Sequence, residues 1–311
     1  MKPRRCLRRP ACSNWRRMTR MAQEYEVFLG CAIPSRFNNY EASMRVIADE
    51  LDIELLDFDG ASCCGTVVLK SIDELSWLSM SGRNIALAEK RGHDIVTPCN
   101  GCFGSLKDCD HVLHDNESER KKVNKILSEV GLEYEGEARI RHFVEVLYDL
   151  KDEIADRIVN PLDGLKIAFH PGCHLIRPST VAGFDDPELP RKVDELLELT
   201  GARSIPWNLK LRCCGSPLLI SSEEVATEIL KEKMSNAIES GANCIVTNCP
   251  ACHTQFDVQV LGLEDEDGNS LELPALFVTQ VLGVAMGIDS SKLGFELNRV
   301  QLDPIADILG L

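Results

Sequence analysis

The sequence predicts an α/β protein made of two similar domains. Each would be a short parallel β-sheet flanked by helices, the two related by internal duplication. Two observations carry this. A five-cysteine pattern occurs twice, as Cys31, Cys63-Cys64, Cys99 and Cys102, then as Cys173, Cys213-Cys214, Cys249 and Cys252. The last four positions are offset by 150 residues between copies, and 34 residues part the adjacent pair from the C-x-x-C both times. Short apolar runs ending at cysteines also alternate with amphipathic stretches, the rhythm of βαβ units.

In the first copy, residues 25–29 (YEVFL) read as a buried strand ending at Gly30-Cys31. Residues 41–51 read as a helix, with Met44, Ile47, Ala48 and Leu51 on one face. Residues 54–58 are a second strand leading to Ser62-Cys63-Cys64-Gly65. Residues 71–91 form a long helix stopped by Gly92, and residues 94–97 (DIVT) a third strand leading to Cys99. In the second copy, residues 166–169 (KIAF) lead to Pro171-Gly172-Cys173, a helix spans 189–199, and residues 203–207 lead to Cys213-Cys214-Gly215. The next helix opens at Ser221-Ser222-Glu223-Glu224, where Ser221 and Glu224 have capping-box spacing, and Gly241 stops it. Residues 244–247 (CIVT) lead to Cys249. The connecting region, 116–162, reads as helical and ends at Asn160-Pro161, a boundary signal. The expected organisation is a basic segment at 1–22, a first domain at 23–160 with its connecting helices, and a second domain at 161–311.

Every cysteine group then lies where a strand ends and a helix begins. Ligands collect at the carboxyl edge of a parallel sheet, and helix N-termini there offer free N–H groups to an anion.

Charge and hydropathy exclude several classes. With 49 acidic and 34 basic residues the net charge is −15, the wrong sign for a nucleic-acid binder. No run of 18 apolar residues exists, so no membrane span is expected. Residues 1–20 carry eight Lys or Arg and no acid, without the apolar core of a secretory signal. They are expected to be a disordered tail or to precede the true start. The protein is therefore expected in a reducing cytoplasm, where clustered thiols bind metal or do redox chemistry.

Zinc takes four tetrahedral ligands, usually from two C-x-x-C pairs. Each copy here has one C-x-x-C, one adjacent pair and one distant cysteine. Adjacent side chains diverge, which suits a multi-iron cluster better than one small ion. A cubane needs only four cysteines, so five point to a cluster of another shape. An isolated redox dithiol does not explain the fixed distance between each C-x-x-C and its adjacent pair.

This spacing resembles the duplicated cysteine-rich CCG domain, and within that family the B subunit of heterodisulfide reductase. Gly60-Ala-Ser-Cys-Cys64, Cys99-Asn-Gly-Cys102, Arg141-His-Phe143 and Cys252-His-Thr-Gln-Phe-Asp257 carry the resemblance. It implies a noncubane [4Fe-4S] cluster on each five-cysteine set, Cys31, Cys63, Cys64, Cys99 and Cys102 for one and Cys173, Cys213, Cys214, Cys249 and Cys252 for the other. It also implies a shared cavity where the coenzyme M–coenzyme B mixed disulfide is reduced to two thiols, as in methanogenesis. The implied partners are a ferredoxin-like C subunit and a flavin- and iron–sulfur-containing A subunit, with a hydrogenase or formate dehydrogenase behind them. The alternative is a CCG-domain iron–sulfur subunit of another anaerobic oxidoreductase, acting on a different disulfide, a hydroxy acid or a quinone.

Of the remaining cysteines, Cys109 and Cys244 are expected in the core. His174 and His253, each beside a ligand cysteine, are the candidate catalytic proton donors. His93, His142 and His170 are secondary. An anionic substrate calls for a cation in the cavity, and Arg36, Lys70, Arg177 and Lys210 are the candidates.

Overall fold

The computed structural model describes residues 23–311. The basic segment, with Cys6 and Cys12, lies outside the described residues. Two four-stranded sheets, parallel throughout, are built in the same order. The first contains β1 (Gln23–Val27), β2 (Ile53–Asp57), β3 (Asp94–Thr97) and β4 (Ile140–His142), arranged β2-β1-β3-β4. The second contains β5 (Lys166–His170), β6 (Arg203–Ser204), β7 (Cys244–Thr247) and β8 (Ala275–Phe277), arranged β6-β5-β7-β8. Tyr25 pairs with both Leu55 and Asp94, and Ile167 with both Ser204 and Cys244. β3 and β7 are short apolar runs because both faces of a parallel sheet are covered by helices. The chain leaves β1 for one side of the sheet and returns on the other, so the ends of β1 and β3, and of β5 and β7, flank a topological switch point.

The predicted two-unit α/β architecture holds, with local differences. β1 ends two residues earlier than read, although the Phe28 N–H still reaches the Val96 carbonyl at 2.8 Å. β6 is reduced to two residues, since Pro206 cannot donate to a ladder. The helix read at 71–91 is two, Thr66–Ile72 and Glu74–Arg91. Asp73 divides them, its carboxylate accepting from Leu75 and Ser76 N–H as an N-cap. The Ser221–Glu224 capping box does not form: Ser222 is the N-cap of Glu223–Glu239, and Ser221 Oγ donates to the Leu218 carbonyl. β4 and β8, three residues each, were not anticipated; β4 sits in the connecting region read as helical.

Each half lends a helix to the other. Asn38–Glu50 packs on Val278–Ala285, with Ser43 Oγ 2.7 Å from Thr279 Oγ1 and the Tyr40 ring stacked on Phe277 at 3.9 Å. The counterpart is Lys192–Glu198 on Phe143–Asp149, where Tyr148 donates to Glu195 Oε2 at 2.7 Å. This exchange brings the carboxyl edges of the two sheets together. No helix among the described residues is long and apolar enough to cross a membrane.

Candidate metal centre

The cysteines are set by glycines at matching points. Gly30 (φ 68°) and Gly172 (φ 75°) turn the chain out of β1 and β5 just before Cys31 and Cys173. A Cβ on Gly30 would lie 2.6 Å from Cys102 Sγ, and one on Gly172 would lie 2.0 Å from Asn100 Nδ2. Only glycine fits either place, on conformation and on space. After each adjacent pair, Gly65 and Gly215 N–H lie 3.4 Å from Cys63 and Cys213 Sγ. Ser105 Oγ and Gln255 Nε2, themselves 150 positions apart, donate to the Cys64 and Cys214 carbonyls at 2.8 Å. Cys99 and Cys249 are the N-caps of Asn100–Asp115 and Pro250–His253. The second of these passes into a π-helical turn, Thr254–Gln259, which positions Gln255; such turns occur often at functional sites.

The two nests touch. Cys99 and Cys249 face each other between the halves, close enough for each to shift the other's titration. Beside them Asn100 Nδ2 donates to the Pro171 carbonyl and Asn248 Nδ2 donates to Asn100 Oδ1, each at 2.8 Å. Nine of the ten thiols form one chain of contacts, Cys63–Cys64–Cys102–Cys99–Cys249–Cys252–Cys214–Cys213–Cys173. Cys64 and Cys102 Sγ are 3.6 Å apart. Cys31, the tenth, is exposed.

Such neighbours cannot all ionise. Cys64 is pulled down to about 3, chiefly by the bond from Cys102, and Cys213 to about 2, chiefly by the bond from Cys173. Cys63, Cys102, Cys173 and Cys252 are pushed up, first by the neighbouring sulfur each one meets (Cys64, Cys64, Cys213 and Cys214) and then by burial. Cys99 and Cys214 are raised as well and Cys249 is lowered, so each of the three lowered groups, Cys64, Cys249 and Cys213, stands between two protonated thiols until a cation displaces the protons. Cys31 and Cys63 are exposed and Cys173 and Cys213 half-buried, so each nest offers the same two members to the outside.

Lys233 is the residue that sequence reasoning missed. It is fully buried, and Nζ donates to the Leu209 carbonyl and, at 2.9 Å, to that of Arg212. Nζ lies 4.5 Å over the Trp207 ring, and among the described residues no carboxylate pairs with it. Burial pulls the ammonium down to about 8, against the opposing pull of the Cys252, Cys214, Cys173 and Cys213 sulfurs. An isolated buried charge is costly, so its natural counter-ion is the second nest.

The histidines sort by direction rather than by adjacency. His170 Nδ1 lies 3.1 Å from the Lys210 carbonyl, which can only accept, so Nδ1 carries the hydrogen. Nε2 is left buried without a partner, and the ring groups with Cys214 and Cys252, their ligand atoms all within 4.8 Å of one another. His174 is half-buried beside Gly104 of the other half, where an added Cβ would lie 2.9 Å from its Nδ1. The expectation for His253 is revised. It is fully buried, stacked on Phe277 at 3.9 Å and 3.4 Å from Asp257 Oδ2. Successive helix residues point about 100° apart, so standing next to Cys252 turned it toward the aromatic core. His142, from the first half, accepts from Val144 N–H at Nδ1 and keeps a buried Nε2–H. His93 pairs with Glu26 at 3.3 Å and stands just before β3, at the end of that strand away from Cys99.

A cleft of about 680 Å³ opens on Cys31 and Cys63. None of Arg36, Lys70, Arg177 or Lys210 lines it. Lys70 pairs with Asp108 at 3.2 Å, Arg177 holds the Pro187 carbonyl, and Lys210 pairs with Asp194 at 2.6 Å. The cation in the cleft is Arg45, already engaged by Glu41 and Asp57. Cys109 and Cys244 are core residues, as expected.

The donor chemistry fits anionic iron–sulfur groups: thiol-rich nests too crowded to hold their own charge, and a buried ammonium with no carboxylate among the described residues. Two α/β units that carry matched cysteine nests define a class, and the cysteine-rich CCG domain model matches residues 25–107 and 167–257. Over 280 residues the chain is 39% identical to the B subunit of the ferredoxin/F420H2-dependent CoB-CoM heterodisulfide reductase of Methanosarcina acetivorans, covering 88% of this chain and 93% of that one. It is 38% identical to a protein of Archaeoglobus profundus described as like the heterodisulfide reductase B subunit, covering 86% and 92%. It is 29% identical to the 8-methylmenaquinol:fumarate reductase membrane anchor subunit of Wolinella succinogenes, covering 90% and 98%. A hypothetical protein from Helicobacter pylori shares the fold, with a TM-score of 0.71 at 16% identity over 91% of this chain and 53% of that one. The chain belongs to the cysteine-rich CCG-domain family, among the heterodisulfide reductase B subunits.

Proposed function

We propose that the protein is the catalytic B subunit of a CoB-CoM heterodisulfide reductase, an iron–sulfur oxidoreductase that reduces a mixed disulfide to two thiols. The observation that supports this most is the joining of two equivalent thiol nests at Cys99 and Cys249. Two adjacent sites suit a substrate with two sulfur atoms. Cys31, Cys63, Cys64, Cys99 and Cys102 would hold one noncubane [4Fe-4S] cluster, and Cys173, Cys213, Cys214, Cys249 and Cys252 the other. When bound, the clusters supply one-electron chemistry and iron sites for sulfur.

The chain's own residues position and protonate. Asn100 and Asn248 lock the two nests in one orientation. Gly65 and Gly215 N–H groups steady the outward Cys63 and Cys213 sulfurs. His174, between the halves and not fully buried, would give a proton to a departing thiolate. The conventional ferredoxin motif C-x2-C-x2-C-x3-C does not occur in the sequence. Electrons would therefore come from a ferredoxin-like C subunit backed by a flavin-containing A subunit and a hydrogenase or formate dehydrogenase, in a cytoplasmic assembly.

Anaerobic purification with iron and sulfide quantitation, followed by EPR after oxidation with coenzyme M, tests this. About eight irons per chain follow from two four-iron clusters, and a new paramagnetic signal with the thiol supports the substrate. Iron without a thiol-dependent signal favours the second reading, an oxidoreductase of another substrate, to which the likeness to the Wolinella subunit lends weight. Zinc without iron overturns both.

A further inference from the structure

The two nests are matched in thiols but not in charge. The helices that leave the adjacent pairs, Glu74–Arg91 and Glu223–Glu239, superpose in pattern. Buried Trp77, Ser81, Ile85 and Ala88 answer Ala226, Leu230, Met234 and Ala237 at a constant offset of 149. In that register Lys233 answers Asn84. Both are fully buried, and both hold the chain just before a cysteine pair. Asn84 Oδ1 accepts from Ser62 N–H at 2.8 Å and its Nδ2 donates to the Ser62 carbonyl at 3.1 Å. Lys233 donates to Leu209 and Arg212 carbonyls. A neutral amide suffices for this task in the first half. The ammonium in the second half therefore brings something the loop does not need, which is charge.

Other cations near the adjacent pairs are neutralised or turned outward. Lys70 pairs with Asp108, Lys210 with Asp194 and Arg212 with Glu232, while Arg83 reaches the Gly60 carbonyl. Lys233 alone of these is fully buried and free of a carboxylate. Positive charge close to a cluster favours its more negative, reduced state and raises its potential.

We propose that Lys233 is a positioning residue that makes the two cluster sites unequal, setting the second-half site at the higher reduction potential so that an arriving electron settles there first. This rests on the two-cluster reading above, and it adds an internal direction to it.

The test is a redox titration of the anaerobic, iron-loaded chain, followed by EPR, with iron and sulfide measured in each sample. Wild type is expected to show two one-electron waves, and loss of one in Cys214→Ala assigns the second-half site. In Lys233→Met the second-half wave should fall at least tenfold in its redox equilibrium constant, about 59 mV for one electron, while the first stays. Lys233→Gln keeps a donor for the carbonyls and should shift the wave equally, which separates charge from packing. Unmoved waves at full iron content, or a shift of the first-half wave instead, overturn the proposal. Loss of second-half iron without a change in the remaining potential shows a structural role and also overturns it. A wild-type chain without iron overturns the two-cluster reading itself.

Discussion

The first nest is set among apolar and neutral groups, the second among polar and charged ones. Phe28 leads into Cys31 where His170 leads into Cys173, and Asn84 stands where Lys233 does. Phe103 meets His142 edge-on at 5.7 Å in the first half; His253 stacks on Phe277 at 3.9 Å in the second, the same aromatic pair with its members exchanged. The helix after the C-x-x-C is regular for 16 residues in the first half and turns π-helical after four in the second. Duplication preserved the thiols, their turns and their carbonyl anchors. It left the surroundings free to diverge. Equal sets of thiols thus sit in unequal surroundings.

The two nests should part most completely at the ligands. Cys64→Ala and Cys214→Ala are each expected to lose about half of the bound iron, one nest emptying while the other fills, because a multi-iron cluster is not held once its buried thiolate is gone. Loss of all iron in either variant would show instead that the nests assemble as one unit through Cys99 and Cys249.

A smaller effect separates them at the glycines. Gly172→Ala is expected to cost about 3 kcal/mol, from left-handed backbone strain and collision with the Asn100 amide. It should disturb the visible spectrum of both sites, since Asn100 joins them. Gly30→Ala, which meets Cys102 Sγ, is expected to cost about 2 kcal/mol and to disturb the first site alone. Urea denaturation with absorption spectra of single-site variants checks both.

The smallest effect concerns Lys233 without metal. Its folded pKa, about 8, lies below the ordinary 10.5, so between those values the unfolded chain binds more protons. Apoprotein stability should therefore rise with pH across that window, and the cost of Lys233 is fully present below pH 8. Lys233→Met apoprotein is expected to be about 1–3 kcal/mol more stable than wild type at pH 7, with the gap closing by pH 10.5. Urea titrations at both pH values decide it. A gap that does not change with pH would place the ammonium's counter-charge somewhere other than the nests.

Much of this was readable in the chain. β3 and β7 fall where DIVT and CIVT placed them, because a strand buried on both faces must be a short apolar run. The ten cysteines were legible because the spacing of the last four in each set is the same in both copies, and a thiol is the side chain that a metal cluster would require. β4 and β8 were hidden because three residues show no period. His253 was favoured for its neighbour in sequence, and His170, three residues before Cys173, is the one whose nitrogen reaches the second nest.

The sequence by itself determined the class of fold, the repeat and the two sets of thiols, all of which rest on residue type and spacing. Tertiary structure decided what the two repeats are to each other. Asn100 and Asn248 meet across 148 positions, and Lys233 loses its solvent only when the loop from Leu209 to Arg212 closes over it. Burial changes the energy of a charge far more than any neighbour along the chain can, and a lysine on an amphipathic helix carries no mark of the side on which it will be sealed.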